Sequence, residues 1–268
     1  MSCVSLTTDF GLSDEYVGVM KGTILSVNPN ATMIDITHQV DPQDVLQAAG
    51  LIRSAYRFFP AGTVHLVVVD PGVGTDRSIL AAEGGGHQFV APDNGILAPL
   101  RHDGVIETVH RVENADYFLH PVSSTFHGRD IFAPVAAHLS AGISPAALGP
   151  AVPSTEMAGL DPPTPTSSAS GDLMGAVLFI DHFGNLITNI DAEHLEKWRD
   201  SARREKLIIK IGSHRIQGIS LNYESGGFQK PLAIIGSRGY LEVAVNRGNA
   251  RQMMGVGKQD RVRLSKTE

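Results

Sequence analysis

Apolar positions change their rhythm along the chain. Up to about residue 150, short β-branched runs alternate with longer helical stretches, a pattern that predicts an α/β domain with a largely parallel central sheet. Val4 to Thr8, Met33 to Thr37 and Val64 to Val69 read as strands. Asp41-Pro42 reads as a helix start, with Pro at the first helical position and Val45, Ala49, Ile52 and Tyr56 on one face. A further helix is expected from His127-Gly128-Arg129-Asp130 through Ala136 to Leu139, its first turn carrying Asp130 where an acid suits the helix dipole.

From Pro150 to Gly171 the composition turns to Pro, Ser, Thr and Gly. The run Asp161-Pro162-Pro163-Thr164-Pro165 can neither continue a helix nor pair centrally in a sheet. We read residues 1–150 as an N-terminal α/β domain, 151–171 as a linker and 172–268 as a smaller C-terminal domain. In that second part Ala176 to Ile180, Leu207 to Ile211, Leu232 to Ile235, Leu241 to Val245 and Arg261 to Leu264 are short strands between turn residues, with one helix at Asp191 to Arg199. Such spacing predicts a small β-barrel or sandwich.

Composition narrows the function classes. The formal net charge of -6, with Lys and Arg scattered, offers no basic footprint for nucleic acid. The single cysteine, Cys3, leaves no intramolecular disulfide or multi-cysteine metal cage and suits a reducing, cytoplasmic setting. No signal-like start and no stretch of about 18 apolar residues is present, so a membrane role is not expected.

Five segments can carry chemistry. In Thr8-Asp9-Phe10-Gly11, Asp9 falls at a strand's carboxyl end, where open α/β sheets gather ligands and a carboxylate can accept both hydroxyls of a ribose. From spacing alone an Asp turn or helix cap before Asp14-Glu15-Tyr16 is the simpler reading. Asp70-Pro71-Gly72-Val73-Gly74-Thr75-Asp76-Arg77 follows the most apolar strand; its glycines allow close approach to a ligand, or form only a turn, and they match neither a phosphate loop nor a dinucleotide fingerprint. Thr125-Phe126-His127-Gly128-Arg129-Asp130 sets an imidazole at a helix start, where the dipole disfavours its protonation. Further on, Asp181-His182-Phe183-Gly184-Asn185 and Ser237-Arg238-Gly239 sit at strand ends. Asn185 can pair with adenine, Phe183 or Tyr223 can stack on a base, and Asp181 and Ser237 can hold an amino acid's ammonium and carboxylate. As plain β-turns they need no ligand.

In this order, the five segments resemble the S-adenosylmethionine hydroxide adenosyltransferase family and its relatives, the S-adenosylmethionine-dependent fluorinase and chlorinase. The resemblance spans nearly the whole chain. It implies a homotrimer of two-domain subunits whose active sites lie between neighbouring chains, with S-adenosyl-L-methionine as substrate, water as nucleophile, no cofactor and no metal. The hydrolases' trio of Asp, Arg and His falls on Asp70, Arg77 and His127, where halogenases carry Tyr in place of Asp70 and His127. The fluorinase also has Ser in place of Gly128 and an extra loop not found here. Substrate contacts fall on Asp9, Asp181, Phe183, Asn185, Tyr223, Ser237 and Arg238, while an aromatic that halogenases place just before Asp44 is here Gln43. On this reading Asp70 accepts a hydrogen bond from water, Arg77 orients the carboxylate, and His127 positions the water or takes its proton; which of them is the base stays open. Competing readings are a halide-using adenosyltransferase, a noncatalytic nucleoside-binding sensor, and a metal-dependent hydrolase built on Asp9, Asp70 and His127.

Overall fold

A computed structural model describes residues 2–199 and 206–267. The chain divides into two compact units, Met1–Leu160 and Asp161–Glu268.

The first unit runs β1 (Cys3–Thr8), α1 (Tyr16–Val27), β2 (Thr32–Thr37), α2 (Val45–Ala55), β3 (Val64–Val68), β4 (Ile79–Gly84), β5 (His87–Pro92), α3 (Ala98–His102), β6 (Thr108–Arg111) and α4 (Ala133–Ser140). Its six strands form one sheet in the order β2-β1-β3-β5-β4-β6. Pairing is parallel from β2 to β5 and antiparallel on either side of β4. The antiparallel margin follows from a two-residue hairpin loop: Gly85 and Gly86 both have positive φ, which lets the turn twist with the strands.

Central strands β1 and β3 are buried along their whole length, as expected of a sheet covered on both faces. Alternation sorts their side chains. Val64, Leu66 and Val68 join Met20 and Ile24 of α1 and Val135 and Ala136 of α4 on one face, while Val67 and Val69 join Ala48 and Ile52 of α2 on the other. A polar chain crosses that second layer, in which the Ser5 hydroxyl meets His65 Nδ1 at 2.6 Å and His65 Nε2 meets His87 Nδ1 at 3.3 Å. Aromatic rings of Tyr56, Phe59 and Phe89 surround the imidazoles.

Helix α2 begins three residues later than Pro42 would have it. Asp44 caps it, accepting from Gln47 N at 2.8 Å, and Gln43 takes a left-handed φ of 66°. Residues 151–160 stay with the first unit: Ala151 bridges to His110, Arg101 donates to the carbonyls of Ser154 and Met157, and Met157 is buried.

The second unit holds β7 (Thr166–Ser167), β8 (Leu173–Ile180), β9 (Leu186–Asp191), α5 (Ala192–Trp198), β10 (Lys206–Ile211), β11 (His214–Gln217), β12 (Pro231–Ile235), β13 (Tyr240–Val245), α6 (Ala250–Met254) and β14 (Arg261–Thr267). They form an antiparallel sheet ordered β11-β10-β14-β8-β9-β13-β12, with β7 added beside β8. A bridge between Ser220 and Ile234 ties the segment after β11 to β12, so the sheet curls into a nearly closed barrel around Val177, Ile190, Ile209, Leu241 and Val262. Among the described residues, no helix is long and apolar enough to cross a membrane.

Candidate functional site

The carboxyl ends of β1 and β3 open onto a cleft of about 690 Å³ in the first unit. Asp9 lies one residue past β1 and Asp70 two residues past β3, where a mostly parallel sheet leaves room outside its strand ends. Asp9 Oδ2 accepts from the backbone N–H of Gln43 at 2.8 Å, a contact that the left-handed turn at Gln43 makes possible by aiming that N–H back at β1. Thus the late start of α2 serves the cleft.

Asp70, Arg77 and His127 form one hydrogen-bonded chain. Arg77 Nε donates to both Asp70 oxygens, at 3.1 and 2.9 Å, and Nη2 donates to Oδ2 at 2.5 Å. The same Nη2 lies 2.9 Å from His127 Nδ1. A guanidinium can only donate, so Nδ1 must be the acceptor and the imidazole proton resides on Nε2. Burial, then the Arg77 charge, depresses the basicity of His127, with Asp70 and Asp130 pulling the other way; the ring stays neutral below its ordinary range. The Asp70 side chain is only 5% exposed, so Arg77 is what makes its charge tolerable there. The guanidinium also lies over the ring of buried Phe132, 5.6 Å from its centre.

Two loops hold these groups in place. Gly74 has a φ of 78°, and a β-carbon there would collide with the carbonyl of Ser124, so the loop carrying Asp70 and Arg77 rests on the loop that leads to His127. Asp130, fully buried, accepts two hydrogen bonds from Arg129 and one from Ser123 N, which fixes the second loop. Burial alone would raise the Asp130 carboxyl, but these donors outweigh it and the group is held below its usual range. His127 then opens a five-residue π-helix, Gly128–Phe132, that runs into α4. A β-carbon on Gly128 would lie 3.1 Å from Phe126 and 3.3 Å from Met20 and Phe10, so a side chain there is tightly packed against the cleft wall.

The second unit carries its own cavity of about 750 Å³, and Asp181, Phe183, Asn185, Tyr223, Ser237 and Arg238 all line it. The β8–β9 turn is drawn tight by Asp181, whose Oδ1 accepts from Asn185 N at 2.8 Å and whose Oδ2 accepts from Asn185 Nδ2 at 2.9 Å. This commits one amide hydrogen of Asn185 and leaves its Oδ1 as the acceptor edge. Phe183 is 72% exposed, an apolar ring with a free face. Glu242 on β13 also lines the cavity and was not anticipated from sequence. Among the described residues, no group of three or more His, Cys, Asp or Glu is arranged to hold a metal ion.

Comparison with known proteins gives a consistent set. Residues 4–149 match the model of the SAM hydroxide adenosyltransferase N-terminal domain and residues 175–263 that of its C-terminal domain. A protein of Thermus thermophilus named (R)-S-adenosyl-L-methionine hydrolase is 38% identical, covering 98% of this chain and all of its own length. One of the same name from Salinispora tropica is 37% identical over 98% of this chain and 97% of its own. Proteins named fluorinase also match, at 28–31% identity. A crystal structure of an uncharacterized conserved protein from Thermotoga maritima superposes with a TM-score of 0.87 at 35% identity, covering 97% of this chain and 99% of that one.

Proposed function

The chain belongs to the SAM hydroxide adenosyltransferase family, and from that premise we propose that it hydrolyses S-adenosyl-L-methionine to adenosine and L-methionine, with Asp70, Arg77 and His127 activating the water. The observation that carries the residue assignment is the shared Arg77 donor. Because His127 Nδ1 already accepts from Arg77, the ring carries its proton on Nε2 and has no free acceptor nitrogen, so it is not the base.

Asp70 takes that role. Its Oδ1 receives only the longer Arg77 contact and keeps acceptor capacity. Water held by Asp70 Oδ1 beside His127 presents a lone pair to C5′ at about 3 Å, in line with the departing sulfur. As the C5′–O bond forms, the C5′–S bond breaks and its electron pair passes to sulfur, which leaves as a neutral thioether and needs no acid. The attacking oxygen becomes strongly acidic as it bonds to carbon, so the Asp70 carboxylate takes the proton and passes it to solvent.

Binding is assigned to the remaining groups. Asp9 takes the ribose hydroxyls; Asn185 and Arg238 meet the adenine edge, on which Phe183 or Tyr223 stacks; Asp181 and Ser237 hold the amino-acid end. In the homotrimer that the family resemblance implies, the cleft of one chain and the barrel cavity of a neighbour complete each site. A carboxylate at position 70 also repels halide, which favours water as nucleophile.

Incubating the metal-free protein with S-adenosyl-L-methionine, with and without chloride, and separating the nucleosides by chromatography tests the reading. Adenosine in both samples is expected. A 5′-chlorinated nucleoside would replace it with halogenation, and tight binding without product would make the protein a sensor.

A further inference from the structure

The barrel cavity contains a charge that none of these roles uses. Glu242 is 6% exposed, yet it lines the cavity. Its one hydrogen bond among the described residues is a long contact, 3.5 Å, from the Tyr223 hydroxyl to Oε2. Arg238 influences it through space without forming an ion pair, and Asp181, at the mouth of the same cavity, adds repulsion. Burial first, then Asp181, raises the Glu242 carboxyl above its usual range, with Arg238 and Tyr223 pulling down. Asp70, whose side chain is also buried, has an arginine wrapped round it. A buried carboxylate without such a partner is costly, and one that faces a cavity has its missing partner in whatever fills that cavity.

Position sharpens the point. The Glu242 carboxylate is pressed against the α-carbon of Gly236, where a β-carbon would collide with Oε1. Gly236 immediately precedes Ser237, and it donates to the Tyr240 carbonyl to close the β12–β13 turn. So Glu242 is held directly beneath the turn that carries Ser237 and Arg238, while Asp181 approaches from the β8–β9 turn. Two carboxylates and one hydroxyl thus line the same cavity, a set of acceptors suited to a primary ammonium with its three donors.

We infer that Glu242 is a specificity-determining residue that, together with Asp181, selects substrates carrying a free α-ammonium group. The inference rests on the reading of the cavity as the seat of the substrate's amino-acid end. It gives the enzyme a means of refusing adenosyl sulfonium compounds that lack that group: with such a ligand Glu242 stays buried and unpaired.

Titration calorimetry of the full-length protein with S-adenosyl-L-methionine and with its desamino analogue, in which hydrogen replaces the ammonium group, tests this directly. Wild type should bind the natural compound about 10–100-fold more tightly, the range of one charge-assisted hydrogen bond. In Glu242→Gln, which keeps shape and removes charge, the ratio should fall to within about threefold. Gly236→Ala keeps the charge but displaces the carboxylate, and should shrink the ratio partway. Equal weakening of both ligands in Glu242→Gln, an unchanged ratio, or no discrimination by wild type would each overturn the inference. Failure to release adenosine would instead strike the proposed reaction, and the calorimetric ratio would still decide the role of Glu242.

Discussion

In the N-terminal cleft, the buried carboxylate of Asp70 meets three hydrogen bonds from Arg77; in the barrel cavity, the buried carboxylate of Glu242 meets one long contact from a phenol. The first site has satisfied its own charge and so is organised before substrate arrives. The second keeps part of its electrostatics open, so the ligand must complete it. On the proposed assignment chemistry falls to the former and recognition to the latter, because a nucleophile must be held before the reaction while selectivity needs a group that suffers when the wrong ligand binds.

This division predicts different kinetic signatures. Asp70→Asn should lower kcat by roughly 10²- to 10⁴-fold with little change in KM, since it removes the acceptor for the water's proton. Asp181→Asn should do the reverse, raising KM by about 10–100-fold through loss of a charge-assisted hydrogen bond. If both variants move the same parameter, the contrast between the two sites collapses. Arg77→Met strands the Asp70 charge and should destabilise the fold by about 3–5 kcal/mol in chemical denaturation, whereas removing charge at Glu242 should cost nothing measurable or stabilise. A matching loss in both would show that the two carboxylates are paired alike.

Acid offers a smaller and cleaner discrimination. Burial first, then its neighbour His87, depresses His65 from 6.5 to about 3. Between these values the unfolded chain binds a proton that the folded chain refuses, so stability is intact above pH 6.5 and declines as pH falls towards 3. At pH 5 the loss should be about 2 kcal/mol in urea titrations, and His65→Phe should flatten the slope. An unaltered slope in that variant would move the acid sensitivity to other groups. Smallest of all, Gly128→Ser needs Phe126, Met20 or Phe10 to yield by a few tenths of an ångström, and an overpacking cost of about 1 kcal/mol is expected. A neutral effect would mean that the aromatic wall of the cleft yields more easily than its packing implies.

Strand runs with dense β-branching, such as Val64 to Val69, were legible in the sequence, and so were the polar segments at their ends, because strand termini and glycine turns have local signatures. Helix α1 was less so: Gly18 and Gly22 dilute its pattern, and Val17, Met20 and Ile24 are the residues that it buries. Strand β4, Ile-Leu-Ala-Ala-Glu-Gly, carries little β-propensity after its first residues; tertiary burial makes it a strand. Gln43 gave no hint of its left-handed backbone, which follows from capping at Asp44. Glu242 sits within Leu-Glu-Val-Ala-Val, where alternation reads it as a solvated member of a half-buried strand. Its burial comes from barrel closure, and no local pattern encodes that.

The contact of Gly74 with the Ser124 carbonyl has a further consequence for timing. Since the loops bearing Asp70, Arg77 and His127 are interlocked by backbone, the entropy of assembling the three groups is surrendered once, when the chain folds, and not again in every turnover. On the proposed mechanism, the motion left to the catalytic cycle is substrate entry and product departure rather than rearrangement of the nucleophile's cradle.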